Sequence, residues 1–257
     1  IIDPNNSANP IAFNDSIIFY YNNYMQDVNV LAWGQDIVLI EGEELLSQTW
    51  TEGKPYVVYN SMMVDTGEVL TIEEGSRIFF HRGYTMYVAG TLIVDGSSEK
   101  RVMFSSDRVE ELYDDIPGQW EGIYFLNGSS GNVIRNADIK NAVSAIHLGN
   151  LGTDDLPPDI YLYNVVIQHN NVTGLSSLGG SVYANNCVIN HCGFYSLYLA
   201  MGGTYEFIHC TVNSSWDYNI RTTPGILISL YIEYSGILYQ GILENSIFSN
   251  SALTGSL

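Results

Sequence analysis

The stretch Ala184–Gly193, "ANNCVINHCG", returns along the chain in altered form, and this recurrence limits the fold more than any other feature. A polar anchor stands at Asn136, Asn164, Asn186, His209 and Asn245, with steps of 28, 22, 23 and 36 residues. One place after each anchor lies Ala137, Val165, Cys187, Cys210 or Ser246; three places after lies Ile139, Ile167, Ile189, Val212 or Phe248. Five places after comes Asn141, His169, His191, Ser214 or Asn250. The first and third positions are small or apolar and the second and fourth mixed, which is the two-residue alternation of strands. A basic step of 22–23 residues with insertions predicts a solenoid whose coils are made of short strands, with equivalent residues about 4.8 Å apart. The anchor then sits at a coil corner, where a side-chain amide hydrogen-bonds its own coil and the next.

The front half keeps the same period. "LTIEEG" at 70–75 and "LIVDG" at 92–96 lie 22 residues apart, and "RIFFH" at 77–81 is answered by "RVMFS" at 101–105 and "GIYFL" at 122–126. Gly67, Gly75, Gly83, Gly90 and Gly96 fall at the breaks, and no stretch sustains a helical period. The expected fold is all-β: a right-handed parallel β-helix over residues 67–257. Residues 1–41 read as antiparallel strands, two or three of them within 11–40, with a hairpin turning at Asn22–Asn23. An isolated hairpin is marginal in water, so it either docks on the helix end or closes a β-sandwich that precedes it. Residues 42–66 are expected to be a linker and an N-terminal cap that shields the first coil from strand addition.

With 46% hydrophobic residues the 257-residue chain has ample material for a core. Nine basic against 28 acidic residues give a net charge of −19, which repels nucleic acid and anionic membrane surfaces, and polyuronates too unless a divalent cation screens them. No apolar run reaches the roughly 20 residues of a membrane span. No signal peptide is evident and the first residue is Ile1, so the chain is expected to be a piece of something longer. Cys187, Cys192 and Cys210 have neither zinc-site spacing nor the even count of a disulfide framework, and free thiols are expected.

At "TWTEGKPYVVYN", "LTIEEGSRIFFH", "YVAGTLIVDGSSEKRVMFSSDR", "PGQWEGIYF" and "GGTYEFIHCTV" the chain resembles a family of exported right-handed β-helix proteins of Bacteroidetes, mostly lipoproteins, within the pectin-lyase-like superfamily. The resemblance covers nearly the whole chain. It implies that "DSIIFYYNNYMQDVNVLAWGQD" ends a preceding immunoglobulin-like domain. It also implies anchoring at the cell surface or outer membrane, or a periplasmic location, through a lipidated cysteine upstream of Ile1. It implies little about activity, because one fold carries many functions.

Insertions in a solenoid become loops, where function concentrates. "SSDRVEELYDDIPGQW" at 105–120 brings Asp107, Glu110, Glu111, Asp114 and Asp115 together. These carboxylates raise two possibilities, a Ca²⁺ site and a glycoside-hydrolysis pair, but they match no calcium-loop spacing, and a solvated acidic loop is the simpler expectation. Asp154, Asp155 and Asp159 at 149–160 resemble polygalacturonase carboxylates without the accompanying Asp, His, Arg and Lys motifs. Arg135, Lys140, His147 and Arg221 share no repeat position, which weighs against elimination chemistry. His169 and His191 occupy one position on neighbouring coils and are expected to stack rather than hold a metal. Tyr195 and Tyr218 both lie nine places after an anchor, and Trp216 and Arg221 are close by. Aromatic faces beside polar groups suit sugar rings or a partner protein. The expected ligand-binding residues are therefore Tyr195, Trp216, Tyr218 and Arg221, with no catalytic or metal-ligating residue and no cofactor. The leading expectation is a non-catalytic surface β-helix that binds glycan or protein. The alternatives are a pectin-lyase-like lyase or hydrolase using loop carboxylates with Ca²⁺, and a structural spacer.

Overall fold

The computed structural model of the protein describes residues 11–149, 159–229 and 239–249. From Val38 onward the chain winds through three sheets in rotation. Sheet A runs from Val38–Glu41 to Ile247–Ser249, sheet B from Glu44–Leu45 to Ile226–Ser229, and sheet C from Gln48–Trp50 to Tyr239–Glu244. Each strand pairs in parallel with its counterparts one coil before and one coil after. The protein is a parallel β-helix. Beyond one 3-10 turn at Glu111–Tyr113 the described residues form no helix, and none long and apolar enough to cross a membrane.

The core follows from stacked alternation. Tyr56, Ile78, Phe104, Ile139, Ile167, Ile189, Val212 and Phe248 pair in one unbroken file along sheet A. The members from Ile78 to Val212 are fully buried, and Tyr56 and Phe248 pack against the core. Leu70 pairs with Leu92, as the 22-residue step predicts. Two alignments are corrected. Arg77 pairs with Met103, two residues beyond the expected partner, and "GIYFL" at 122–126 contributes Gly122–Phe125 to sheet B, not to the sheet that holds 77–80 and 102–106. A shift of two residues leaves the inside–outside alternation unchanged, so hydropathy could not separate these registers.

The anchors behave as expected. Asn136, Asn164, Asn186, His209 and Asn245 all have left-handed backbone, φ between 48° and 54°, and each turns the chain from sheet C into sheet A. Asparagine tolerates this conformation better than other side chains with a Cβ. The amides form a ladder: Asn136 donates to the Gly96 carbonyl at 2.6 Å, Asn164 to Asn136 Oδ1 at 2.6 Å, and Asn186 to Asn164 Oδ1 at 3.4 Å. A second left-handed file, Asn141, His169 and His191, turns the chain from sheet A toward sheet B.

The coils begin earlier than residue 67. Val38–Glu41, Glu44–Leu45, Gln48–Trp50, Tyr56–Tyr59 and Met62–Val64 already pair in parallel, so the stretch 42–66 expected as linker and cap holds coil strands. Strands of two to four residues are too short to show a periodic pattern. Ile11–Tyr21 and Tyr24–Gly34 form the antiparallel hairpin, with Asn22 and Asn23 at φ 44° and 64° in its two-residue turn. Ile17, Phe19, Tyr21, Tyr24, Val28 and Val30 share one exposed face of it. A two-stranded ribbon without cover opens easily. Limited proteolysis is therefore expected to cut within residues 11–37 before any coil, as read by mass spectrometry of the first fragments; first cuts inside residues 56–106 would contradict this.

Candidate functional site on sheet B

Insertions frame one sheet. The connections 107–121 and 214–225 enter sheet B, and the chain leaves it through 149–158 and 230–238, whereas from Asn136 onward one or two residues suffice at each corner from sheet C into sheet A. Of the leaving connections only Gly149 is among the described residues, so Asp154 and Asp155 lie outside them. On the outer face of sheet B, register aligns Met63, Tyr87, Tyr124, His147, Ser176, Tyr198 and Leu227 in one file. Their inward neighbours, including Met86, Ile123, Ile146, Leu175 and Leu197, fill the core. Tyr87 and Tyr124 meet edge to face at 6.0 Å, and Tyr124 and His147 lie 5.0 Å apart. Ser176 Oγ is 2.7 Å from His147 Nδ1. Tyr195 packs beside Tyr198 at 5.3 Å, at the same edge of the sheet where the 214–225 connection arrives.

The two entering loops meet over the second left-handed file. Tyr218 donates its hydroxyl to the Asp115 carbonyl at 2.8 Å, joining residues 103 apart in sequence. His169 and His191 stack at 5.0 Å and 20°, as expected, and face Asp115 at 3.4 Å and Asp217 at 3.7 Å respectively. Trp216 lies 5.0 Å from Tyr218 and, with Phe194, Ile220 and Arg221, lines a cavity of about 190 Å³. Trp216 and Tyr218 are thus brought together and Tyr218 is half exposed, while Tyr195 belongs to the neighbouring strand. The equal nine-residue spacing is not a structural equivalence: Leu197 pairs with Ile226, 29 residues on, because the 214–225 loop is inserted between them. Arg221 takes a different role from the one expected. It is 7% exposed, donates to the Phe194 carbonyl at 2.7 Å and to the Cys192 carbonyl, and so fastens the loop to the coil below.

The acidic loop is mostly paired. Glu110 meets Arg108 at 3.1 Å, Asp114 meets Lys140 at 2.7 Å, and Asp107 meets His81 Nδ1 at 2.7 Å. Asp107 also receives the Tyr59 hydroxyl, and Tyr59 stacks on His81 at 4.5 Å. Sequence reasoning missed this file, although His81 ends the quoted motif "RIFFH". Among the described residues no three His, Cys, Asp or Glu side chains are arranged to hold a metal ion. Asp159 is engaged by the Gly131 amide at 2.6 Å. The three thiols are buried and unbridged, and burial pushes Cys192 up to about 12.

No protein-family model, curated protein or solved structure matches the chain.

Burial holds His147 below the ordinary histidine range; it does the same to His169, where Asp115 partly opposes it. A histidine whose folded pKa is lowered binds fewer protons in the native state than in the unfolded state. Its contribution to stability is intact above the ordinary value and falls as pH drops through about 6.5 toward the folded value. Melting temperature is therefore expected to decline on acidification across that window, less steeply in His147→Gln; a profile identical in the variant would contradict the assignment.

Proposed function

We propose that the outer face of sheet B binds neutral glycan chains laid along the helix axis. The observation that carries this reading is the register file Tyr87, Tyr124, His147, Ser176, Tyr198, bordered by Tyr195 and by the Trp216–Tyr218 loop. Four coil steps span about 19 Å, room for several linked sugar rings. Aromatic faces offer apolar area to the ring faces, and tyrosine hydroxyls and imidazole offer hydrogen bonds to their edges. The net charge of −19 favours neutral over polyanionic chains. Display at a cell surface, through an anchor upstream, would put the face within reach of extracellular polysaccharide.

Affinity gel electrophoresis against soluble neutral polysaccharides, with calorimetry on derived oligosaccharides, tests this. Retardation is expected in at least one gel. Tyr124→Ala and Tyr198→Ala are each expected to weaken binding at least about tenfold, or 1.4 kcal/mol, while Tyr20→Ala on the hairpin leaves it unchanged. No retardation in any neutral gel, or equal retardation of all variants, would refute the proposal.

A further inference from the structure

Within the sheet B file Ser176 lies between His147 and Tyr198 and is 3% exposed. Its Oγ lies 2.7 Å from His147 Nδ1, closer than the Ile146 carbonyl to which it can also donate, at 3.5 Å. The imidazole also hydrogen-bonds the Gly149 backbone, which favours a proton on the ring. With that proton on Nε2, Nδ1 is the acceptor facing the serine. A hydroxyl within reach of a base that is itself oriented by a third group is the arrangement of an activated nucleophile. Neither residue belongs to the interior core, and both sit on the face that carries the binding proposal.

We propose that Ser176 is a nucleophile with His147 as its general base, and that the face removes O-acyl groups from the neutral glycans it binds. The inference rests on the glycan-binding reading for its substrate. In the first half, Ser176 Oγ bonds to the ester carbonyl carbon while its proton passes to His147 Nδ1. The bond from that carbon to the sugar oxygen breaks, and the sugar hydroxyl leaves with the proton from His147. In the second half, water gives a proton to His147 and its oxygen bonds to the acyl carbon. The Ser176 Oγ–carbon bond breaks and the serine recovers its proton. The sum is ester plus water to alcohol plus carboxylic acid. Burial keeps His147 neutral at neutral pH, the form the base requires.

The experiment measures acetate released from O-acetylated neutral polysaccharide, hydrolysis of p-nitrophenyl acetate, and the site labelled by a fluorophosphonate probe, mapped by peptide mass spectrometry. The wild-type protein is expected to release acetate and to carry the label on Ser176. Ser176→Ala is expected to lose both, and His147→Asn to slow release by about 10²–10⁴-fold. A wild-type protein that neither releases acetate nor takes label overturns the inference, as does release or labelling that survives in Ser176→Ala. Labelling of the wild type decides the matter even where a variant fails to fold. Electrophoretic retardation on the deacetylated polysaccharide, run in parallel, separates the two readings. Retardation without acetate release sinks the esterase alone, whereas no retardation of the wild type sinks the binding face.

Discussion

Trp120→Ala is expected to destabilise the protein by about 3–5 kcal/mol, the range for emptying a large buried aromatic site. Trp120 is fully buried, stacks on Phe80 at 4.2 Å and 8°, and donates its indole N–H to the Lys140 carbonyl at 2.8 Å. It also closes the acidic insertion. The preceding Gln119 holds the Tyr113 and Ile116 carbonyls at 2.8 and 2.7 Å, and Asn141 donates to the Asp114 and Ile116 carbonyls from the coil beyond. Alanine would leave a cavity between coils and an unpaired carbonyl. In a solenoid each coil contacts only its neighbours, so the damage should appear as early local melting around residues 80–142 rather than as a uniform loss. Hydrogen exchange followed by mass spectrometry reads this directly. Unchanged protection across those coils, with a melting temperature within 2 °C of wild type, would contradict the packing described (the threshold is roughly the shift for 1 kcal/mol in a chain of this size).

The second large effect separates conformation from hydrogen bonding at one anchor. Asn164 has φ 53°, donates to Asn136 Oδ1 at 2.6 Å and accepts from Asn186 at 3.4 Å. Asn164→Gly keeps the left-handed turn and loses the ladder, at a cost of about 1–2 kcal/mol for two hydrogen bonds. Asn164→Val loses the ladder and also places a β-branched residue in left-handed backbone, raising the cost to about 3–4 kcal/mol. Denaturant midpoints should therefore fall in the order wild type, glycine, valine. A glycine variant as unstable as the valine variant would show that the turn imposes no conformational demand at this corner.

The contrast between these two sites shows what the sequence could disclose. The anchor file was legible because asparagine and histidine recur where left-handed backbone is needed, and because the third residue after each anchor is aliphatic. The Asn22–Asn23 hairpin turn was legible for the same reason. The first coils were not, since strands such as Glu44–Leu45 are too short to carry a pattern. The sheet B file was also hidden. Tyr87, Tyr124, His147, Ser176 and Tyr198 are separated by 37, 23, 29 and 22 residues, and only the strand register removes the insertions between them. The contact between Trp216 and Tyr218 follows from their proximity in sequence. The carbonyl partners of Arg221 were not legible, because a lone cation beside aromatics looks the same whether it faces a ligand or two carbonyls. The Tyr59–His81–Asp107 file needed contacts across three coils, which no local motif records.

A crystal structure with a bound neutral oligosaccharide tests the binding face most directly. Sugar rings over Tyr124 and Tyr198, with the chain running across successive coils of sheet B, are the predicted result. An oligosaccharide seated on sheet A, sheet C or the hairpin, with sheet B bare, would contradict it.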